Sequence, residues 1–390
     1  MKIGVVVDNG FDNDIRVVKE VYALRDLGHE VTVLAMVMGE EQEHPGISVE
    51  RVKMPAKIRD AGKLMFNTIP FYEWFWRRSI RAFLLRNKVE ALHVHDLYMS
   101  KCAHQAIQDQ GQKISLLLDL HEDYPSAVQS YGWTKGWWRQ PLSAPKAWLR
   151  KEKEYLRVAD FIIVLSDYFR QLLIDRYEFV QPGRIEKLTN VIDLPRYETF
   201  PRKTVNLKTD DITLFYFGVV ASRRGIFETI TACDQVRDRA CEVNLLIIGP
   251  VDKADSTQFH SLLAERPYIQ YISWIDLSEL PSYLDAIDIC ICPAWVTKQH
   301  EAGVGNKIYQ YMYGAKPLIV SDCKPQRTLV EEAGCGIGYK TEEEYVEAII
   351  KLANDSPLRA EMGAAGKKAL IKIYNEESFP AVLKGIYQRL

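Results

Sequence analysis

Short apolar runs alternate with amphipathic segments along nearly the whole chain, and this alternation constrains the fold more than any other feature. Residues 2–7 read as a buried strand, and Val17, Val18, Val21, Leu24 and Leu27 then recur at helical spacing until Gly28 stops the helix. Strands are expected at Glu30–Leu34, Ala91–His95, Ile114–Leu118 and Phe161–Leu165, with helices from about Met99 and from Ser166. A polar stretch holding Pro195 and Pro201 interrupts the pattern. It restarts with a strand at Thr213–Phe217, a helix from Arg224, and strands at Val243–Ile248, Ile287–Cys292 and Leu318–Val320. Strands that alternate with helices predict doubly wound parallel sheets of the α/β class. Because 390 residues exceed one ordinary core, two Rossmann-like domains facing a central cleft are expected. Their bounds are read as 1–195 and 211–375, with a linker over 196–210. The amphipathic segment 376–390 is expected to cross back onto the first domain.

Composition narrows the setting. The seven cysteines have no disulfide-scaffold spacing, and several sit in apolar runs such as Asp288-Ile-Cys-Ile-Cys292, so they read as reduced core residues of a cytoplasmic protein. No run reaches the roughly 18–20 apolar residues of a membrane span, and the first apolar stretch is too short for a signal peptide. The net charge of −2 hides an asymmetry. Lys53 to Lys88 carries nine Lys/Arg against two Asp/Glu, and Tyr131 to Arg157 seven against two. Both windows are rich in aromatics: Phe66, Phe71, Tyr72, Trp74, Phe75 and Trp76 in one, Trp133, Trp137, Trp138 and Trp148 in the other. Basic residues attract anionic lipid and Trp favours the headgroup zone, so the first domain is expected to touch the cytoplasmic face of a membrane peripherally. The alternative is that these aromatics fill the core. Nucleic-acid binding is not expected, since the charge is slightly negative and no recognised module is present.

Ligands of open α/β sheets bind at the carboxyl ends of the strands, and four loops there carry chemistry. Phe217-Gly-Val-Val-Ala-Ser-Arg-Arg-Gly225 presents Arg223 and Arg224 just before a helix, suited to a diphosphate unless both are plain surface charges. In His300-Glu-Ala-Gly-Val-Gly-Asn-Lys307, Gly303 and Gly305 would let backbone amides approach phosphate while Lys307 adds a charge; a tight turn with a capped helix is the alternative. Gln310, one turn on, is placed to bond a ribose. Asp119-Leu-His-Glu-Asp-Tyr-Pro125 brings His121 and Glu122 to a strand end, where an imidazole contacts a sugar, shuttles a proton or bonds a loop carbonyl. His93, His95 and Asp96 flank another strand end, but no spacing matches a metal motif. The first loop, Asp8 to Arg16, holds Gly10 and Asp14 and reads as an acceptor contact, a helix cap formed by Asp12, Asn13 or Asp14, or both.

Taken together, these segments resemble the retaining glycosyltransferases of family 4, which have the GT-B fold. The resemblance runs from Asn13-Asp-Ile-Arg-Val17 and Leu27-Gly-His-Glu-Val-Thr-Val33 through His93-Val-His-Asp-Leu97, Asp119-Leu-His-Glu122 and Asn190-Val-Ile-Asp193. It continues through Phe217-Gly218, Arg224-Gly225, Ile248-Gly249, Leu280-Pro-Ser-Tyr-Leu284 and Asn306-Lys-Ile-Tyr-Gln-Tyr-Met312 to Lys316-Pro-Leu-Ile319. It implies a nucleotide-diphosphate sugar as co-substrate, no cofactor, and metal-independent transfer with retention to a glycan or lipid-linked acceptor in polysaccharide biosynthesis. The donor would be held by Gly218, Arg223, Arg224, Gly249, Gly303, Val304, Gly305, Asn306, Lys307 and Gln310. His121, Arg224, Lys307 and Glu301 would serve the reaction, and Gly10, Asp14, Arg16, His95, Asp96 and Glu122 the acceptor. Two positions depart from the family. Gln310 stands where a ribose-binding glutamate is common, and Ala302, separated from it by seven residues, stands in place of its partner. Val219 stands where many relatives place an arginine. These departures leave room for a non-catalytic partner in a polysaccharide complex, and a sugar-nucleotide epimerase of the same fold is the rival within enzymes.

Overall fold

The computed structural model describes residues 1–39, 41–207, 211–375 and 378–390, with the side chains of Asn13, Gly132 and Ser378 left aside. Two compact units result, one of Met1–Thr189 with Glu377–Leu390 and one of Asn190–Glu376. Both are α/β, and every strand pairing among the described residues is parallel.

In the first unit β1 (Lys2–Val6), β2 (Glu30–Met36), β3 (Ser48–Val52), β4 (Ala91–His95), β5 (Ser115–Asp119), β6 (Phe161–Val164) and β7 (Ile185–Lys187) are ordered β3-β2-β1-β4-β5-β6-β7. The central strands are apolar because helices cover both faces of the sheet. One cover is the helix Ile15–Asp26, capped by Asp14, whose Oδ1 accepts from the Val17 amide at 3.2 Å. Against its Val17, Val21 and Leu24 pack Phe379, Leu383, Ile386 and Tyr387 of the last helix, Ser378–Tyr387. The aromatic windows divide: Tyr72, Trp76 and Trp148 are fully buried, whereas Trp74, Trp137 and Trp138 stand exposed.

In the second unit β8 (Ile212–Phe217), β9 (Val243–Ile248), β10 (Ile269–Ile272), β11 (Ile289–Cys292), β12 (Leu318–Ser321) and β13 (Gly336–Tyr339) are ordered β10-β9-β8-β11-β12-β13. This unit begins well before residue 211. Leu194–Glu198, read from the sequence partly as linker, forms a short helix whose Tyr197 is buried and packs on Tyr313. Residues 208–210 of that linker and 376–377 of the last segment lie outside the described residues. The seven cysteines are unpaired and six of them are buried.

Two strand ends in this sheet are built on glycine. Gly218 and Gly249 follow β8 and β9 with φ of +137° and +142°, and a Cβ on Gly249 would lie 2.1 Å from the Gly218 carbonyl oxygen. Backbone thus packs on backbone where the two strands open toward their loops. Gly249→Ala combines a disfavoured φ with a clash against main chain, and is expected to lower stability by roughly 2–4 kcal/mol in chemical denaturation. A change under about 0.5 kcal/mol, the size of an ordinary surface substitution, would contradict this packing.

Candidate functional site

The carboxyl ends of β8 and β11 bring three cations together in the second unit. Arg223 and Arg224 lie on the single turn Ser222–Arg224 after β8. That turn is tied down by Ser222, whose amide and hydroxyl donate to Asp255 at 2.8 and 2.5 Å, and by the Trp295 amide, which donates to the Arg223 carbonyl at 3.1 Å. Gly225 closes it at φ +73°, so near the Pro293 carbonyl that a Cβ would lie 1.8 Å from the oxygen. Lys307 enters from the helix Asn306–Tyr313, its Nζ 4.0 Å from the Tyr216 ring centroid and close over Gly218.

Two neighbouring titrating groups, half-buried His300 and buried Cys292, feel these charges. His300 has its imidazole pKa lowered to about 4, first by burial and then by Arg224, Arg223 and Lys307, against the hydrogen bond from Nδ1 to the Trp295 carbonyl. Burial raises the Cys292 thiol, and the same Lys307 and Arg224 oppose the rise. Arg223 has a carboxylate neighbour, Asp252, at 3.4 Å. Arg224 and Lys307 are half-buried, and among the described residues neither is paired with a carboxylate. Two half-buried cations without counter-charge at a strand's carboxyl end are chemically suited to an anion. A cavity of about 280 Å³ beside Asp211, Thr213 and Asn244 lies at the opposite, amino end of the same strands and away from these cations.

Most of the other residues expected on the donor side lie on the loop and helix that follow β11. Gly303 and Gly305 have φ of −167° and −67°, so neither needs glycine's conformational freedom, although a Cβ on Gly305 would meet nothing within 4 Å. Val304 packs on the core and Asn306 opens the helix. Glu301 sits half-buried on the turn His300–Ala302. Gln310, expected to bond a ribose, is buried, and its Nε2 donates to the Tyr197 hydroxyl at 2.8 Å, which ties the helix to the unit's first segment. Val219 is exposed, and its carbonyl accepts from Tyr216 at 2.8 Å.

In the first unit, strand period brings His93 and His95 to one face of β4, stacked 4.7 Å apart, with Asp119 opposite His95 on β5. Arg16 inserts from the helix Ile15–Asp26. Its NH2 donates to both Asp119 oxygens at 2.9 and 2.7 Å, and its Nε lies 3.0 Å from Glu20 Oε1. Ligand atoms of Glu20, His93, His95 and Asp119 fall within 4.8 Å of one another, the grouping a divalent ion would use. Arg16 already pairs with two of these four groups, Glu20 and Asp119, so a metal would bring a second positive charge beside a buried one.

Arg16 and His95, expected to serve the acceptor, are both buried and belong to this network. Its one half-exposed member is His121, whose Nε2 lies 3.0 Å from His95 Nδ1. Asp96 is half-buried, at φ 71°. Glu122 accepts from Tyr131 at 2.5 Å, Asp14 caps its helix, and Gly10 packs on Met38.

Sequence reasoning missed a further group around Asp8. This buried carboxylate accepts from Tyr98 and Tyr72 at 2.7 Å each and pairs with Lys63 Nζ at 2.8 Å. Lys63 and the two hydroxyls hold its pKa below the ordinary range despite burial. The signal available in the sequence is an aspartate that ends an apolar strand and opens a polar loop.

A model described as "Glycosyl transferase 4-like domain" matches residues 15–190, and one described as "Glycosyl transferases group 1" matches residues 198–369. No curated protein sequence matches the chain. Among solved structures, sucrose-phosphate synthase from Thermosynechococcus elongatus is similar with a TM-score of 0.75 and 16% identity, over 100% of this chain and 98% of the other. HepE of Anabaena in complex with UDP gives 0.73 and 13% over 100% of both chains. An E. coli trehalose-6-phosphate protein bound with UDP-2-fluoro glucose gives 0.72 and 13% over 98% and 99%. With two successive family models, two parallel Rossmann-like sheets and cations gathered where such sheets bind ligands, the chain belongs to the group 1 glycosyltransferases of the GT-B fold.

Proposed function

We propose that the chain transfers a sugar from a nucleotide-diphosphate sugar to a glycan or lipid-linked acceptor, with retention of anomeric configuration and without a metal. The observation that carries this reading is the pair of half-buried cations, Arg224 and Lys307, at the carboxyl ends of β8 and β11. Two similar structures hold UDP or a UDP sugar, which supports the same ligand class here. The bond from the anomeric carbon to the diphosphate oxygen breaks, an acceptor hydroxyl oxygen bonds to that carbon on the same face, and its proton passes to the departing phosphate. Negative charge grows on the diphosphate as it leaves, so cations fixed beside it favour the transition state over the bound ground state. His121 lies beside the transferred sugar, and the acceptor is held by the first unit. That unit's exposed Trp74, Trp137 and Trp138 among basic residues favour peripheral contact with an anionic membrane. No helix among the described residues is long and apolar enough to cross one.

A ligand that binds only the folded state raises stability by RT ln(1 + [L]/Kd), about 2.7 kcal/mol at a hundredfold excess over Kd. One nucleoside diphosphate of a panel is accordingly expected to raise the melting temperature, unchanged by EDTA. The sugar product should keep the donor's anomeric configuration by NMR. No shift with any nucleotide would remove the donor reading; an inverted product would remove the retaining one.

A further inference from the structure

A cavity of about 640 Å³ opens in the first unit beside the end of β1, lined by Asp8, Met38, Arg59, Lys63, Trp133, Trp138 and Arg139 among others. Its walls are held firmly. Lys63 is fixed by its pair with Asp8, itself bonded by two buried tyrosines. The short helix Arg139–Ser143 is pinned by Asn67, whose Nδ2 donates to the Ser143 and Ala144 carbonyls at 2.8 and 3.2 Å, and by Thr68, which donates to the Leu142 carbonyl at 3.2 Å.

Two kinds of chemistry meet there. Trp133, Trp138, Met38 and Leu64 give apolar surface, while Arg59 and Arg139 give guanidinium groups. Arg59 has Asp60 at 2.9 Å, but Arg139, stacked 4.8 Å over Trp138, has no carboxylate partner among the described residues. Outside the cavity the same two segments expose Ile58, Ile69, Trp137 and Leu142, with Trp137 90% exposed. An anionic group lodged by Arg139, with an apolar chain running over the indoles to that exposed rim, satisfies both sets.

We propose that this cavity binds the phosphate and first apolar units of an amphiphilic lipid phosphate, the carrier of the acceptor. The inference rests on the glycosyl-transfer reading and gives its acceptor a chemical class. A soluble phosphorylated sugar shares the anionic part and could stack on the indoles, but it would leave the exposed aliphatic rim of Ile58, Ile69 and Leu142 without a role.

Calorimetry on the full chain separates the sources. Farnesyl phosphate is expected to bind at least tenfold more tightly than inorganic phosphate, farnesol or glucose 6-phosphate. Arg139→Ala and Trp138→Ala should each weaken it tenfold or more, while Trp274→Ala, at an exposed tryptophan of the second unit, should leave it unchanged. Binding of glucose 6-phosphate as tight as that of farnesyl phosphate would overturn the lipid assignment. So would equal loss in all three variants, the mark of non-specific adsorption. Absence of binding to every probe, with nucleoside diphosphate binding intact, would overturn the cavity proposal and leave glycosyl transfer standing. Loss of both would point to failure of the wider reading.

Discussion

Arg224→Ala and Lys307→Ala are each expected to lower kcat by roughly 10²–10³-fold, the loss typical of removing one preorganised group that stabilises developing negative charge. Both side chains stand at the carboxyl ends of neighbouring strands, β8 and β11, and both act electrostatically on His300 and Cys292. The double variant should therefore lose less than the product of the single losses, because two cations acting on one anion are coupled. Arg223→Ala is the internal control: Asp252 at 3.4 Å already offsets part of its charge, so about tenfold or less is expected. Folding should be little affected, as none of the three holds a structural ion pair comparable to Arg16. Single-turnover rates at saturating donor check the prediction, with circular dichroism melts to confirm folding. Wild-type turnover in Lys307→Ala would remove the leaving group from this end of the sheet.

What the sequence revealed and what it hid follow from the same physics. The central strands β1, β2, β4, β5, β6, β8, β9, β11 and β12 are legible because burial on both faces demands unbroken apolar runs. The four strands it missed, β3, β7, β10 and β13, are the edges of the two sheets. They are short and half-buried, with polar residues such as Glu50, Arg51, Glu186 and Gln270, so no apolar run marks them. The cationic site was legible because its residues follow strand ends in short loops. Gln310 was not, since its partner Tyr197 lies 113 residues away. The aromatic windows were visible as composition, but their division into buried Trp76 and Trp148 and exposed Trp74, Trp137 and Trp138 depends on which face of a helix meets the sheet.

Arg16 shows most clearly how a long-range partner changes a residue's meaning. A polar residue opening a helix beside a strand end reads as a ligand contact, yet Asp119, 103 residues on, draws it inward. Asp119 is held well below the ordinary carboxylate range: burial opposes ionisation, and Arg16 beside it prevails. Glu20 is pushed well above its range by burial and by Asp119, with Arg16 only partly opposing, so the arrangement favours one ionised carboxylate and one that keeps its proton. The two acids should then respond oppositely. Asp119→Asn is expected to destabilise the fold, whereas Glu20→Gln should hold or raise stability at pH 7. The double variant, leaving Arg16 without a carboxylate, should lose about 3–5 kcal/mol. The pH dependence supplies the sign test. Burial lowers His93 to about 4 and moves His95 the same way, so below about pH 6.5 the unfolded chain takes up protons that the folded chain refuses. Stability therefore falls on acidification, by about 3 kcal/mol from His93 alone between pH 6.5 and 4. Glu20 opposes this, because the folded chain retains its proton while the unfolded chain has released it above about pH 4.5. Removing it in Glu20→Gln should steepen the loss between pH 7 and 5 by up to about 1.4 kcal/mol per pH unit. Urea titrations across that range decide the matter: an unchanged slope, or a neutral-pH loss of several kcal/mol, would mean that Glu20 is ionised and that His95, which meets His121, faces a negative charge rather than a shared proton.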